Sequence, residues 1–152
     1  MRTDQIWRSE EQAIFALRGL YQRYGYTPYK MSQFEEYDLY VRNKDFLISD
    51  RIITFSGEGG KLMALKPDVT LSIVKNAPEA SGVVQKVYYS ENVYRDYREI
   101  MQAGLECVGD LTDYDIAEAV VLAAKSLALL GENYVLDISH MGLVGAVLNR
   151  LG

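Results

Sequence analysis

Two long strands joined by a very short turn are the feature that most limits how this chain can fold. Residues 83–95 are rich in Val and Tyr, and residues 98–108 alternate between polar and apolar side chains. Both patterns are typical of β-strands, and Asp96 and Tyr97 between them are enough for a hairpin turn. We therefore predict an antiparallel sheet built around this hairpin and covered by helices.

The second strand of the hairpin carries polar side chains on one face. Gln102, Gly104 and Glu106 are two residues apart, and Arg95 lies at the end of the first strand. A guanidinium that faces an amide and a carboxylate, with a position free of side-chain atoms between them, could hold a small zwitterion. The alternative is a solvated polar face of an antiparallel sheet, and spacing alone leaves both interpretations open.

Hydrophobic spacing and turn residues predict the other elements. In chain order we predict a helix over 8–24, extended chain over 26–34, a short helix over 35–41, a hairpin of 52–55 and 61–65, a helix from 67 to before Pro78, the central hairpin, a helix over 112–130, a core strand over 134–138 and a helix over 143–151. This mixture of helices and antiparallel strands is the α+β class, in a single domain over residues 1–152.

Two helix starts carry residues of interest. Asp68 and Thr70 suit an N-cap, because their side-chain oxygens accept from free backbone N–H groups, but a carboxylate there can also contact a ligand cation. The segment Thr-Asp-Tyr-Asp at 112–115 is a variant of the capping box. The helix that it opens is apolar nearly all round, which indicates burial between layers or in a subunit contact.

Composition excludes several classes of protein. The chain of 152 residues is 49% hydrophobic and 24% charged, as expected of a globular domain, and its net charge of −5 argues against a nucleic-acid partner. The only cysteine, Cys107, excludes an internal disulfide and fits a reducing cytoplasm, and it is expected to point into packing, away from Glu106. We find no signal peptide in the charged first residues and no apolar run that could span a membrane.

The only histidine, His140, excludes a multi-histidine metal centre. As a general base it would need a nucleophile and an orienting carboxylate, and only Asp137 is near in sequence. We favour a histidine at a strand end, hydrogen-bonded to backbone.

Separated motifs in the right order resemble the histidyl-tRNA synthetase family of class II aminoacyl-tRNA synthetases. Arg95 followed by R-x-x-x-Q-x-G-x-E-x-x-G at 98–109 resembles motif 2, and Leu-Lys-Pro-Asp-Val-Thr at 65–70 resembles the L-R-P-E-G-T signature. The family includes a non-catalytic paralogue, the regulatory subunit of ATP phosphoribosyltransferase in histidine biosynthesis. Asp68 in place of Glu, a shortened motif 2 and Leu-Asp-Ile-Ser-His-Met-Gly at 136–142 are similar to that paralogue.

This resemblance implies a class II synthetase-like catalytic-core fold with its C-terminal part missing, since no motif 3 follows. It matches Asp68, Thr70 and Gln102 to the set that holds the ammonium group of histidine, and Glu106 to a carboxylate near the imidazole. It matches Arg95 to the arginine that contacts the α-phosphate of ATP. The synthetase has a seven-residue basic loop after that arginine, and here the loop is deleted.

The function that the resemblance implies is regulatory. We expect a subunit without catalytic residues, metal or cofactor that serves a short-form ATP phosphoribosyltransferase catalytic subunit and takes histidine as effector. It also implies a homodimer, formed through the first helix and residues 26–34, within a hetero-oligomer. Two alternatives stay open: a catalytic-core fragment of a histidyl-tRNA synthetase, and a dimerising scaffold with a vestigial pocket. Histidine could bind in the pocket or at a subunit interface.

Overall fold

The computed structural model describes residues 9–47, 51–77, 82–139 and 141–151. Its elements, in chain order, are α1 (Ser9–Arg23), β1 (Thr27–Pro28), β2 (Phe34–Glu36), α2 (Tyr37–Arg42), β3 (Thr54–Ser56), β4 (Leu62–Leu65), α3 (Thr70–Lys75), β5 (Val84–Arg95), β6 (Arg98–Gly109), α4 (Asp113–Leu130) and α5 (Met141–Leu151). The α+β class predicted from the sequence is confirmed. The proposed role of His140 lies outside the described residues.

The strands of the described residues form two small sheets. One has the order β1-β5-β6 and the other the order β2-β4-β3. All pairs are antiparallel except β1 and β5, which run parallel where Thr27 and Pro28 meet Val87 and Tyr88. Pro28 lies on an edge strand, where a residue without an N–H is tolerated.

The central hairpin matches its prediction closely. Asp96 and Tyr97 have φ angles of 49° and 62°, the left-handed conformation that a two-residue turn of type I′ requires at both positions. Arg95 therefore pairs with Arg98, and the register continues without a bulge to Val84 and Gly109. Side chains of paired residues point to the same face, so this register decides which residues can meet.

Each face of the hairpin packs against helices. On one side α1 and α4 form a core with Tyr88, whose buried members are Leu17, Leu20, Tyr21, Tyr26, Tyr88 and Leu122. On the other side α3 covers the hairpin. The buried cluster between them consists of Val69 and Ile73 from the α3 region and Val87, Tyr89 and Val93 from β5. The hairpin is thus held from both sides, and α3 is fixed over the face that carries the polar residues.

The start of α4 is also as predicted. Thr112 and Asp115 form a reciprocal capping box, in which each side chain accepts from the backbone N–H of the other residue. Lys86 of β5 contacts both Asp115 and Glu118 at 2.9 Å, so the first turns of α4 are bound to the hairpin.

The predicted core strand was wrong, whereas the burial predicted for α4 holds within this chain for one stripe, and a subunit contact of the remaining surface stays a prediction. Residues 134–138 form no strand, and Val135 is 82% exposed, because high β-propensity makes a strand only where another strand pairs with it; none of the described strands does. Along α4, Leu122 is fully buried, whereas Val121 and Leu130 are about half exposed, since the hairpin and α1 cover one stripe of the helix.

The remaining differences are local. The helix predicted over 35–41 begins later, at Tyr37, because Phe34–Glu36 pairs with β4 as an edge strand. None of the helices in the described part of the chain is long and apolar enough to cross a membrane.

Candidate functional site

A cluster of polar side chains lies between the start of α3 and the covered face of the β5–β6 hairpin. All five residues singled out from the sequence are in it: Asp68, Thr70, Arg95, Gln102 and Glu106. Arg95 and the even-numbered residues of β6 share this face because of the hairpin register. Asp68 and Thr70 reach it because Val69, just before α3, and Ile73 of α3 pack on the same face.

Arg95 is the centre of one half of the cluster. Its Nη2 donates to Asp68 Oδ2 and to Gln102 Oε1, both at 3.2 Å, and its Nε donates to the Pro67 carbonyl at 2.6 Å. The Arg95 and Asp68 side chains are 18% and 16% exposed, so this ion pair is mostly shielded from water. A fixed guanidinium beside a fixed carboxylate presents opposite charges side by side, which matches the two charged groups of an amino acid.

Asp68 combines the two roles that the sequence left open. Its Oδ1 accepts from the backbone N–H of Leu71 at 3.3 Å, while its Oδ2 accepts from the Arg95 guanidinium. The carboxylate therefore holds a free N–H of the first turn of α3 and faces the polar cluster at the same time.

Glu106 and Thr70 form the other half of the cluster. Thr70 Oγ1 donates to Glu106 Oε1 at 2.6 Å, so its hydroxyl serves Glu106 rather than capping α3. Burial raises the pKa of Glu106 above its ordinary value of 4.5; the Thr70 hydrogen bond opposes that shift, and the nearby Asp68 charge adds to it. A carboxylate desolvated in this way gains from any N–H donor or cation that enters beside it.

Tyr89 and Gly104 complete the cluster, and Tyr89 was not predicted as a site residue. The two are directly paired across the hairpin, and a Cβ at position 104 would lie 2.7 Å from the Tyr89 hydroxyl oxygen. Gln102 Nε2 donates to that oxygen at 3.4 Å. Counting outward from the two-residue turn places Tyr89 opposite Gly104, so the sequence did contain the signal.

A buried ion pair borders the cluster. Lys66 is fully buried, and its Nζ lies 3.4 Å from a carboxylate oxygen of Glu91, which is paired with Gln102 across the hairpin. Burial lowers the pKa of Lys66, and the Glu91 charge opposes this shift. The backbone of Lys66 also links the two sheets, since it donates to the Gln33 carbonyl and accepts from the N–H of Tyr94.

Cys107 lies on the opposite face, next to Lys86 and Tyr26, and burial raises its thiol pKa. Among the described residues, no three or more His, Cys, Asp or Glu side chains converge as a metal site. The polar cluster offers charged and neutral hydrogen-bonding groups, without an activated nucleophile. Opposite charges and hydrogen-bonding groups on one face are the groups that complement a small zwitterion.

The sequence profile described as Histidyl-tRNA synthetase matches residues 3–152. The chain is 28% identical over 146 residues to the histidine–tRNA ligase of Archaeoglobus fulgidus. The alignment covers 90% of this chain and 36% of that protein. It is 29% identical over 144 residues to the histidine–tRNA ligase of Methanocaldococcus jannaschii, covering 88% and 35%. The chain thus spans about a third of the length of these curated relatives.

Solved structures of two kinds share this fold. An ATP phosphoribosyltransferase regulatory subunit/histidyl-tRNA synthetase from Bacillus halodurans has a TM-score of 0.70 at 20% identity, covering 82% of this chain and 34% of that one. A histidine–tRNA ligase subunit from Alicyclobacillus acidocaldarius has a TM-score of 0.69 at 26% identity, covering 82% and 38%. The ATP phosphoribosyl transferase (HisG:HisZ) complex from Thermotoga maritima gives 0.59 at 18% identity, covering 80% and 43%.

Proposed function

The chain belongs to the histidyl-tRNA synthetase family, and from that premise we propose that it is a histidine-binding, non-catalytic regulatory subunit of an ATP phosphoribosyltransferase. Its fold is the class II catalytic core of that family. Family membership alone leaves two functions, because the curated relatives are tRNA ligases and the structural neighbours include regulatory subunits.

The two-residue turn after Arg95 is the observation that carries the proposal. The resemblance to motif 2 assigns a basic loop of seven residues to synthetases at this place, where it closes over ATP. Here Asp96 and Tyr97 close the hairpin directly, and the Asp96 carboxylate lies 3.9 Å from the Arg51 guanidinium. ATP activation needs positive charge around the phosphates, and this turn replaces the basic loop with an acidic residue.

The polar cluster supports histidine as the effector. The carboxylate of histidine suits the Arg95 guanidinium, and its ammonium group suits Asp68 and the Gln102 oxygen, which Arg95 now occupies. The imidazole N–H suits Glu106, a desolvated acceptor two residues further along β6 than Gly104. Histidine would enter by separating the Arg95–Asp68 pair and replacing each partner with one of its own charged groups.

Regulation then follows from binding. If the catalytic subunit prefers one of two states of this protein and histidine prefers the other, the effector changes catalytic activity by linkage. We include in the proposal a homodimer inside a hetero-oligomer with the short-form catalytic subunit.

The experiment that tests the proposal measures ATP phosphoribosyltransferase activity of a short-form catalytic subunit with and without the full-length protein. We expect activity to require the protein and to fall when histidine is added. The double variant Gln102→Ala, Glu106→Ala should still activate but lose the response to histidine. Glu99→Ala, on the opposite face of β6, is the matched control and should keep it.

A second candidate function is histidine activation, which the names of the curated relatives favour. Histidine-dependent exchange of pyrophosphate into ATP by the full-length protein would contradict the regulatory proposal. A calorimetric titration that shows no heat with histidine, with and without the catalytic subunit, would instead favour a scaffold with a vestigial pocket.

A further inference from the structure

We propose that Tyr97, at the tip of the β5–β6 hairpin, is a contact residue for the catalytic subunit of the phosphoribosyltransferase. Its ring enters a shallow apolar slot of that subunit, and the charged residues around the turn pair with polar groups at the rim of the slot. This inference rests on the proposed function and goes beyond it, because it names a surface through which the two subunits associate.

The backbone of Tyr97 has a conformation that a bulky residue rarely adopts. Its φ of 62° lies in the left-handed region, as does the φ of 49° of the preceding Asp96. Aspartate tolerates this region, whereas glycine is the preferred second residue of such a turn. The turn itself therefore gives no reason for a tyrosine at this position.

The packing of the chain gives no reason for it either. The Tyr97 side chain is 79% exposed, the highest value among the aromatic side chains of the described residues. Because most of the ring stays in water, folding gains little from its burial. A strained residue that serves neither the turn nor the core indicates a functional constraint. Tyrosine is enriched at the centres of protein interfaces, where its ring buries a large area and its hydroxyl can pair.

The charges around Tyr97 are balanced, which favours a protein over a nucleic acid as its partner. Asp96 lies 3.9 Å from Arg51, and these side chains are 53% and 68% exposed. Arg98 and Glu99 follow on β6 and are also exposed. Nucleic acids attract clustered cations, whereas this end of the hairpin carries two carboxylates beside two guanidinium groups. An aromatic ring among polar residues of both signs has the pattern of an interface anchor with its rim.

The hairpin presents Tyr97 on a rigid support. The pairing of β5 and β6 continues without interruption from the turn. On the face opposite the polar cluster, Glu99 Oε1 accepts from Asn92 Nδ2 at 2.6 Å and from the Tyr94 hydroxyl at 3.2 Å. Met101 on the same face is 42% exposed, so this end of the hairpin extends beyond the cover of the helices. A preformed contact loses little conformational freedom on binding.

The position of Tyr97 also links partner binding to the effector. Arg95, two residues earlier, donates to Asp68 and Gln102 in the polar cluster. A ligand that separates Arg95 from Asp68 therefore acts on the same short turn that presents the Tyr97 ring. Effector and partner can thus influence each other through one structural element without sharing a contact residue.

The test measures the association of the full-length protein with a short-form catalytic subunit by calorimetry. We expect Tyr97→Ala and Tyr97→Gly to bind that subunit roughly tenfold more weakly than the wild type, as for the loss of one aromatic anchor. Tyr114→Ala is the matched control and should bind normally. Tyr114 is 69% exposed and lies beside Lys86, at the opposite end of the hairpin.

Two further readouts separate contact from a structural role. Tyr97→Gly should be at least as stable in urea as the wild type, because it relieves the strained backbone. Both variants should bind histidine with unchanged affinity, so that weaker association comes neither from unfolding nor from the polar cluster.

The inference alone is overturned if the wild type associates with the catalytic subunit and both Tyr97 variants do so equally well. It is also overturned if the variants keep this association and instead lose binding of tRNA, which would assign the ring to base stacking. If the wild type does not associate with the catalytic subunit, the proposed function is overturned with it.

Discussion

Tyr89 and Gly104 face each other across the β5–β6 hairpin, and the tyrosine ring lies where a side chain at 104 would have to go. A Cβ there would be 2.7 Å from the Tyr89 hydroxyl oxygen and 2.9 Å from its Cζ, closer than such contacts occur in proteins. The ring belongs to one buried cluster with Val69, the residue before α3, and with Ile73 of α3. This close approach couples the shape of the site to the packing of the core.

Gly104→Ala should therefore destabilise the fold and weaken histidine binding together. Forcing a methyl group into a packed core costs about 1–3 kcal/mol, and here the shift would displace the Tyr89 hydroxyl. Chemical denaturation and calorimetry measure the two effects. Gly19→Ala is the control: nothing lies within 4 Å of its Cβ, and in the middle of α1 alanine should stabilise by about 0.5–1 kcal/mol. An unchanged stability of Gly104→Ala would show that the ring is free to move.

Tyr97→Gly should stabilise the protein without affecting the ligand. Tyr97 is 79% exposed and has a φ of 62°, which costs a residue with a Cβ about 1 kcal/mol. Asp-Gly is a preferred pair in a two-residue turn of this type. We expect the free energy of unfolding to rise by about 0.5–1 kcal/mol in urea, with the same affinity for histidine. Tyr97→Ala, which keeps the strain, should show no such gain.

The hairpin was predictable because its rules are local. Alternation gives the strands, and a turn of two residues sets the register from Arg95 and Arg98 outward. The position of α3 over this face is not a local property. It depends on Val69 and Ile73 packing against Val87 and Val93, which sequence spacing alone does not reveal. That is why the distances between Asp68 and the hairpin residues required a structure.

Tyr89 was overlooked and the segment 134–138 was predicted wrongly, for two different reasons. Tyr89 has the sequence context of a core residue, and it is one, but its hydroxyl end belongs to the polar cluster. Val135 and Ile138 have the composition of a strand, and they are exposed instead. β-Propensity indicates that a segment can form a strand, whereas pairing depends on which backbone lies next to that segment.

Asp115→Asn should lower the thermal stability at neutral pH. The hydrogen bonds from Thr112 and then the contact with Lys86 hold the pKa of Asp115 below its ordinary value of 3.8. A depressed carboxyl pKa contributes stability that is complete above the unfolded value and is lost as the pH falls below it. The difference in melting temperature between the wild type and the variant should be constant from pH 5 to 7 and narrow below about pH 3.8. Asp113→Asn, which is exposed on the same turn, is the control.

Glu106→Gln should change stability and binding in opposite directions. Burial disfavours the charge of the wild-type carboxyl and raises its pKa. When the group is ionised, unfolding therefore removes the free-energy cost of the buried charge. Above the unfolded value of 4.5 the unfolded state binds fewer protons than the folded one, and stability falls as the pH rises toward the folded pKa. Glutamine carries no charge and keeps an oxygen that can accept from the Thr70 hydroxyl. At pH 7 the variant should melt a few degrees higher than the wild type, and at pH 4 this gain should be absent.

Histidine binding by Glu106→Gln should nevertheless be at least tenfold weaker, because a neutral amide is a poorer acceptor for the imidazole N–H than a carboxylate. Glu99→Gln removes a charge from the opposite, exposed face of the same strand and should leave both quantities nearly unchanged. A variant that is both less stable and unable to bind would mean that Glu106 serves the fold. A variant that is more stable and unable to bind would mean that the charge of Glu106 destabilises the fold and is needed for ligand binding.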